Sequence, residues 1–171
     1  MEMERIEPQP TSDERTSLIE YLNYQRATVL MKADGLNKEQ LNSVHSPSQL
    51  TLAGLLKHLW LVEDSWIKER FLGLPDDEPW ANAPFDRDPD WDFHSAADDE
   101  PDALRHGYEK ACTSNDRLIA EHDLGDLAVK KLKNGDDWTL RWVLLHLIEE
   151  TARHAGHADL IREAIDGTVG E

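Results

Sequence analysis

Four polar side chains of types that bind metal ions recur at helical spacing near the end of the chain. His146, Glu150, His154 and His157 are three or four residues apart, so at about 100° per residue they fall within roughly 80° of one another on a helix. The apolar residues that share or border this sector are Val143, Leu147, Ile161 and Ala164. The stripe should therefore face the core, where unpaired polar groups cost several kcal/mol. A divalent metal ion would satisfy the carboxylate and the imidazoles together.

A histidine elsewhere in the chain could complete such a site. His58 lies within the apolar stripe of an earlier helical segment, while Glu150 and His154 are one turn apart and can reach the same ion. Two imidazoles and one carboxylate leave positions open for water or substrate, as in catalytic zinc sites. His157 and His146 would then be a further ligand, a support for the ligands or a proton acceptor.

Each of these residues also has a simpler interpretation when it is considered alone. His58 could be a core histidine bonded to a backbone carbonyl, and Glu150 could be the buried partner of Arg26 or Arg105. His157 could lie at the mouth of the helix bundle. Because the histidines and the glutamate share one inward stripe, the pattern favours a metal site over a series of separate coincidences.

Four long helical patterns must position these groups. They are predicted over residues 12–33, 51–72, 102–122 and 139–167, with Ser12 and Thr51 as N-caps and Gly73 at the end of the second helix. A single helical turn is expected near residues 38–41. The pattern predicts an all-α four-helix bundle that forms a single domain over residues 1–171, with a flexible N-terminus at residues 1–10.

The connection over residues 74–101 differs in kind from the helices. It contains five prolines, which exclude a long helix. It also contains many acids, and it is interleaved with Trp80, Phe85, Trp91 and Phe93. We expect it to pack on the bundle and to cover or line the entrance of the site, with its acids facing solvent. Packing far from the site, or in a dimer contact, is the alternative. The linker at residues 123–137 carries an Asn-Gly turn that could form a short extended piece or a hairpin.

Composition excludes several classes of protein. The chain has 171 residues and a formal net charge of -17, so phosphates would be repelled and neither nucleic acid nor an anionic membrane surface is an expected partner. Cys112 is the single cysteine, so an intramolecular disulfide is excluded. It lies in the middle of a predicted helix and has no paired histidine nearby in the sequence, which makes it a poor candidate for a nucleophile. No apolar run approaches ~20 residues, and the N-terminus lacks a signal core. A cytoplasmic location is expected.

Two segments carry a resemblance to a known family. The run Leu55-Leu56-Lys57-His58-Leu59 and the run Ile148-Glu149-Glu150-Thr151-Ala152-Arg153-His154-Ala155-Gly156-His157-Ala158-Asp159 resemble the DinB/YfiT-like superfamily. Residues 144–167 are most similar to its branch of mini-circle proteins. The resemblance covers nearly the whole chain and implies a four-helix bundle.

The same resemblance implies a metal site with one histidine on the second helix and two ligands four residues apart on the last. His58 and His154 match the first and last of these, whereas Glu150 replaces a common histidine, as it does in the related mycothiol-dependent maleylpyruvate isomerases. His157 stands where many relatives have glutamine. The resemblance also implies zinc or nickel, frequent homodimers, and transfer of low-molecular-weight thiols such as mycothiol.

Three functions are compatible with these features. The first is a metal-dependent transferase that activates a mycothiol-type thiol toward a small electrophilic substrate. The second is metal-dependent hydrolysis through a bound water. The third is a non-enzymatic metal-binding protein of a stress response, in which the ion only braces the bundle.

Overall fold

The computed structural model describes residues 3–45 and 47–169, and within them the chain is helical, as predicted. The helices are α1 (Glu14–Ala33), α2 (Lys38–Leu41), α3 (Leu52–Glu63), α4 (Trp91–Ser95), α5 (Pro101–Ala120) and α6 (Leu140–Asp166). A π-helical segment, Asp64–Phe71, continues α3. The bundle consists of α1, α3 with its π-helical extension, α5 and α6. Within it, α1 packs against α6 and α3 packs against α5. No helix in the described ranges is both long and apolar enough to cross a membrane.

Side-chain caps fix where the long helices begin. Thr51 accepts a hydrogen bond from the Gly54 N–H at 3.0 Å and is the N-cap predicted from the sequence. The predicted N-cap Ser12 is wrong by one residue, because the Asp13 carboxylate accepts the bond from the Thr16 N–H at 3.1 Å. The Ser12 hydroxyl instead donates to the Glu20 carboxylate, which leaves the capping position to its neighbour.

The second long helix changes type before it ends. The sequence predicts one regular helix, but from Asp64 onward the structure has a π-helix. Gly73, the glycine predicted at the end of this helix, has the left-handed φ of +69° that is typical of such glycines. The Asp64 carboxylate accepts hydrogen bonds from the indole N–H groups of Trp60 at 2.9 Å and Trp80 at 3.0 Å. This buried carboxylate therefore ties the connection over residues 74–101 to the helix, through a contact that helical periodicity could not indicate.

A close approach between α3 and α5 depends on a glycine. A Cβ atom at Gly107 would lie 2.4 Å from the indole ring of Trp60, so only glycine admits the indole at this position. The adjoining core contains Leu55, Leu104 and Tyr108, all with no more than 1% of their surface exposed. The packing of α3 against α5 holds the helix that carries His58.

Two segments outside the helices have defined contacts. Residues before α1 lie beside that helix, where the Arg5 guanidinium donates to the Thr28 hydroxyl at 3.0 Å; flexibility of residues 1–10 stays a prediction, and residues 1 and 2 lie outside the described range. Between α5 and α6, a single antiparallel bridge joins Leu127 to Thr139, and Gly135 turns the chain with φ +90°. This is a hairpin-like loop, one of the two forms that the sequence suggested.

Candidate metal centre

The polar stripe of α6 faces α3 and the π-helical segment, where its histidines contact His58 and Trp66. The partly exposed strip of surface formed by His58, His146, Glu150 and His154 is termed the groove. Side-chain exposure is 20% for His146, 22% for Glu150 and 12% for His154, whereas Val143 and Leu147 on the same helix are fully buried. The prediction that the stripe points into the core is therefore corrected: it borders the core and remains accessible from solvent. Water can therefore reach these groups in the folded bundle.

The structure brings together the three residues predicted as ligands. His58, Glu150 and His154 each offer one ligand atom, and these atoms lie within 4.8 Å of one another. His154 Nε2 is 3.7 Å from a Glu150 carboxylate oxygen, and the His58 and His154 rings meet edge to face at 5.0 Å. Two imidazoles and one carboxylate are a donor set that suits a divalent transition metal ion, so these residues fit the ion that the sequence implied.

A residue that the sequence reasoning missed orients His58. The Asp92 carboxylate on α4, 3% exposed, lies 2.7 Å from His58 Nδ1, and the Phe93 ring stacks on the His58 ring at 4.4 Å. With Nδ1 engaged by Asp92, Nε2 is the nitrogen that can face an ion, an arrangement common behind metal-binding histidines. The acids of this connection were expected to face solvent, and for Asp92 that expectation is wrong. Its position between Trp91 and Phe93 was the one signal for burial.

The predicted supporting histidine His157 lies behind His154. The Nδ1 atoms of the two rings are 3.3 Å apart, so His157 contacts the side of the His154 ring opposite Glu150. Burial, followed by the nearby His58 and His157, lowers the pKa of His154 to about 4. His154 is therefore a neutral imidazole at neutral pH, the form that binds a metal ion.

His146 lies on the other side of Glu150. Its Nε2 is 3.9 Å from a Glu150 oxygen, and its ring contacts Trp66 at 4.3 Å and stacks on Trp142 at 5.2 Å. Burial lowers the pKa of His146 from its ordinary value. A neutral imidazole at this position can accept a proton from a group bound in the groove.

The simpler interpretations of Glu150 and His58 are not what the structure shows. Arg26 pairs with Glu63 and Asp116, and Arg105 pairs with Asp102, so neither arginine is the partner of Glu150. The polar contact of His58 is with the Asp92 carboxylate and not with a backbone carbonyl.

Cys112 is unsuited to act as a nucleophile in this fold. It is fully buried, and burial raises the pKa of its thiol well above the ordinary value. Because the thiolate is the reactive form, Cys112 is a poor nucleophile in the folded chain.

The pKa of His154 predicts how stability depends on pH when metal is removed. Its pKa is about 4 in the folded chain against 6.5 for an unperturbed histidine, so between these values the unfolded chain binds a proton that the folded chain does not. The free energy of unfolding should therefore fall as the pH drops from 6.5 toward about 4 and should be unaffected by this residue above 6.5. Urea unfolding with a chelator at several pH values measures the slope.

The matched variants for this pH dependence are His154→Gln and His106→Gln. The first should reduce the slope, because it removes one of the two partly buried histidines whose pKa is lowered, while His146 still contributes. The second changes an exposed histidine on α5 and should leave the slope as in the parent chain. Equal slopes in the parent and His154→Gln chains would contradict the prediction.

Removing the Asp92 carboxylate should weaken metal binding without removing a ligand. Asp92→Asn is expected to lower the affinity for zinc by about 10–100-fold, the usual effect of losing the partner of a metal-binding histidine. Competition with a chromophoric chelator measures this affinity. Asp88→Asn, which alters the carboxylate beside the exposed His94, is the control and should bind zinc as the parent does.

The fold and the site together define an all-helical bundle with a group of side chains between two of its helices that could hold a metal ion. Comparison with known families makes the assignment specific: the model of the mycothiol S-transferases matches residues 17–167. The chain therefore belongs to the mycothiol S-transferase family, which lies within the predicted DinB-like superfamily. No curated protein matched the chain. Placement in the mini-circle branch, the homodimer and the cytoplasmic location stay predictions.

Proposed function

We propose that this protein is a metal-dependent transferase that joins a low-molecular-weight thiol of the mycothiol type to small electrophilic substrates. The observation that carries the proposal is the convergence of His58, Glu150 and His154, from two helices, to within 4.8 Å of one another, in a chain that belongs to the mycothiol S-transferase family. Zinc is the ion we propose, with nickel as the alternative. When bound, the ion supplies a positive charge that lowers the pKa of a thiol.

We assign the other roles in the reaction to residues of the chain. His58 Nε2, a Glu150 oxygen and His154 Nε2 hold the ion, and Asp92 fixes the orientation of the His58 ring. His146 Nε2 is the atom to which we assign the thiol proton, because it faces Glu150 and is neutral at neutral pH. As the S–H bond breaks, its electron pair forms the bond between sulfur and the electrophilic carbon. The bond between that carbon and its leaving group breaks at the same time, and the leaving group departs with the bonding electron pair.

The remaining walls of the groove are aromatic. Phe93 covers one face of His58, and the rings of Trp66 and Trp142 enclose His146. Trp142 is 39% exposed, which leaves part of its indole available to a substrate. These aromatic rings favour an electrophile with an apolar body. The connection over residues 74–101 thus contributes both Asp92 and Phe93 to the proposed site.

A conjugation assay tests the proposal. Chain purified without a histidine tag, stripped of metal and reloaded with zinc, is mixed with mycothiol and a bimane electrophile, and formation of the thioether is followed by fluorescence. Conjugation should require both zinc and mycothiol, should be lost in His154→Ala, and should persist in His106→Ala. An equal rate in the metal-free chain would contradict the proposal. Retained metal without conjugation would favour the hydrolytic or the non-enzymatic alternative.

A further inference from the structure

We propose that Glu150 can bridge two metal ions, and that His146 and Glu149 hold the second ion beside the first. His146, Glu149 and Glu150 each offer one ligand atom, and these atoms lie within 4.8 Å of one another. The second site shares Glu150 with the metal centre of the proposed function and therefore rests on that proposal. It would make the groove a centre for one ion at low free metal and for two at high free metal, where His146 holds the second ion and no longer accepts the thiol proton.

The two oxygen atoms of Glu150 face different histidines. Oε2 is 3.7 Å from His154 Nε2, whereas Oε1 is 3.9 Å from His146 Nε2. Two ligands of one zinc ion, with bonds of about 2.0–2.2 Å, lie roughly 3.0–3.6 Å apart. The distance from each Glu150 oxygen to its histidine nitrogen thus exceeds the spacing between two ligands of one ion by only a few tenths of an ångström. The two oxygens face different imidazoles, so each could bind a different ion.

The surroundings of His146 hold its ring in place. Trp66 meets the ring edge-on at 4.3 Å, and Trp142 stacks on it with an angle of 13° between planes. Nδ1 of the same ring lies 3.9 Å from a Glu149 oxygen. Because an imidazole binds one ion through a single nitrogen, this contact shows only that Glu149 lies beside the ring, and the 4.8 Å limit on the three ligand atoms is what includes Glu149 in the site. Because the ring is confined between two indoles, little side-chain freedom remains to be lost when an ion binds.

The second site should be the weaker of the two. The Glu149 side chain is 49% exposed, so an ion bound there would remain partly hydrated. The Glu149 carboxylate also forms an ion pair with Arg153, one turn along α6. A cation that binds Glu149 must compete with this guanidinium. Mixed imidazole and carboxylate donors suit a divalent first-row transition metal ion better than calcium, whose ligands are oxygen atoms.

Metal stoichiometry tests the second site. The untagged chain is dialysed against buffers of increasing free zinc, and bound zinc per chain is measured by elemental analysis. The parent chain should take up one ion and then a second with at least about tenfold lower affinity. His146→Ala should stop at one ion. Arg153→Gln should bind the second ion several-fold more tightly, because the competing charge is gone, and His106→Ala should match the parent.

The outcomes separate the second site from the first. A parent chain that stops at one ion at saturating zinc, or a second ion retained in His146→Ala, would overturn the second site. If the single ion of such a chain were lost in His154→Ala, the metal centre of the proposed function would still stand. An ion lost in His146→Ala but retained in His154→Ala would instead support the second site and overturn the first.

Discussion

Replacement of His154 by alanine is expected to lower the affinity for zinc by more than about 100-fold. Even the loss of a residue behind a metal ligand costs about 10–100-fold in affinity, and this change removes a ligand itself. The His154 imidazole lies 3.7 Å from Glu150 and meets the His58 ring at 5.0 Å, so its loss leaves only two donors, one on α3 and one on α6. Elemental analysis of the purified variant measures the loss directly.

Thermal unfolding provides a second measurement of the same site. An ion that binds the folded chain raises the melting temperature by mass action, so a chelator should lower it in the parent and leave it unchanged in His154→Ala. His106→Ala changes an exposed histidine and should respond to the chelator as the parent does. Helical content at 25 °C should persist without metal, since the apolar core contains no ligand. Stoichiometric metal in the double variant His58→Ala/His154→Ala would contradict the assignment of the site.

Helical periodicity explains why much of the fold and the site could be predicted. Residues four apart on a helix share one face whatever the rest of the chain does, so the neighbourhood of Glu150 and His154 followed from local sequence. Thr51 and Gly73 were identifiable for the same reason, because a cap depends only on residues within a few positions. The approach of His58 to this face required a bundle, which the four apolar stripes indicated.

The interactions that were missed depend on the path of the chain between helices. Asp92 contacts His58 across 34 positions, and no local pattern separates it from the other acids of its connection. The π-helix at residues 64–71 begins at Asp64, which accepts a hydrogen bond from Trp80 of the same connection, and no local pattern indicates that contact either. No periodic signal in the sequence indicates where a long connection returns to the bundle.

Breaking a buried ion pair in the bundle is expected to destabilise the chain more than any change at its surface. Arg26 on α1 is fully buried and donates two hydrogen bonds of 2.6 Å to the two carboxylate oxygens of Glu63 on α3. Asn115 donates to the same carboxylate at 3.0 Å. Burial disfavours the charged guanidinium, but Glu63 and Asp116 outweigh it and hold the pKa of Arg26 above its ordinary value. The arginine therefore stays charged.

Glu63→Ala should lower the free energy of unfolding by about 3–5 kcal/mol, because a buried guanidinium loses the partner that compensates its charge. Urea unfolding of the protein in the presence of a chelator measures this loss. If the alanine variant does not fold, Glu63→Gln is measured in its place. Asp116→Asn is the matched control: that side chain is 38% exposed, so water can replace it, and about 1 kcal/mol or less is expected. The double variant Arg26→Met/Glu63→Leu removes both charges and should recover most of the stability. Equal losses in Glu63→Ala and Asp116→Asn would mean that the pair contributes no more than a surface contact.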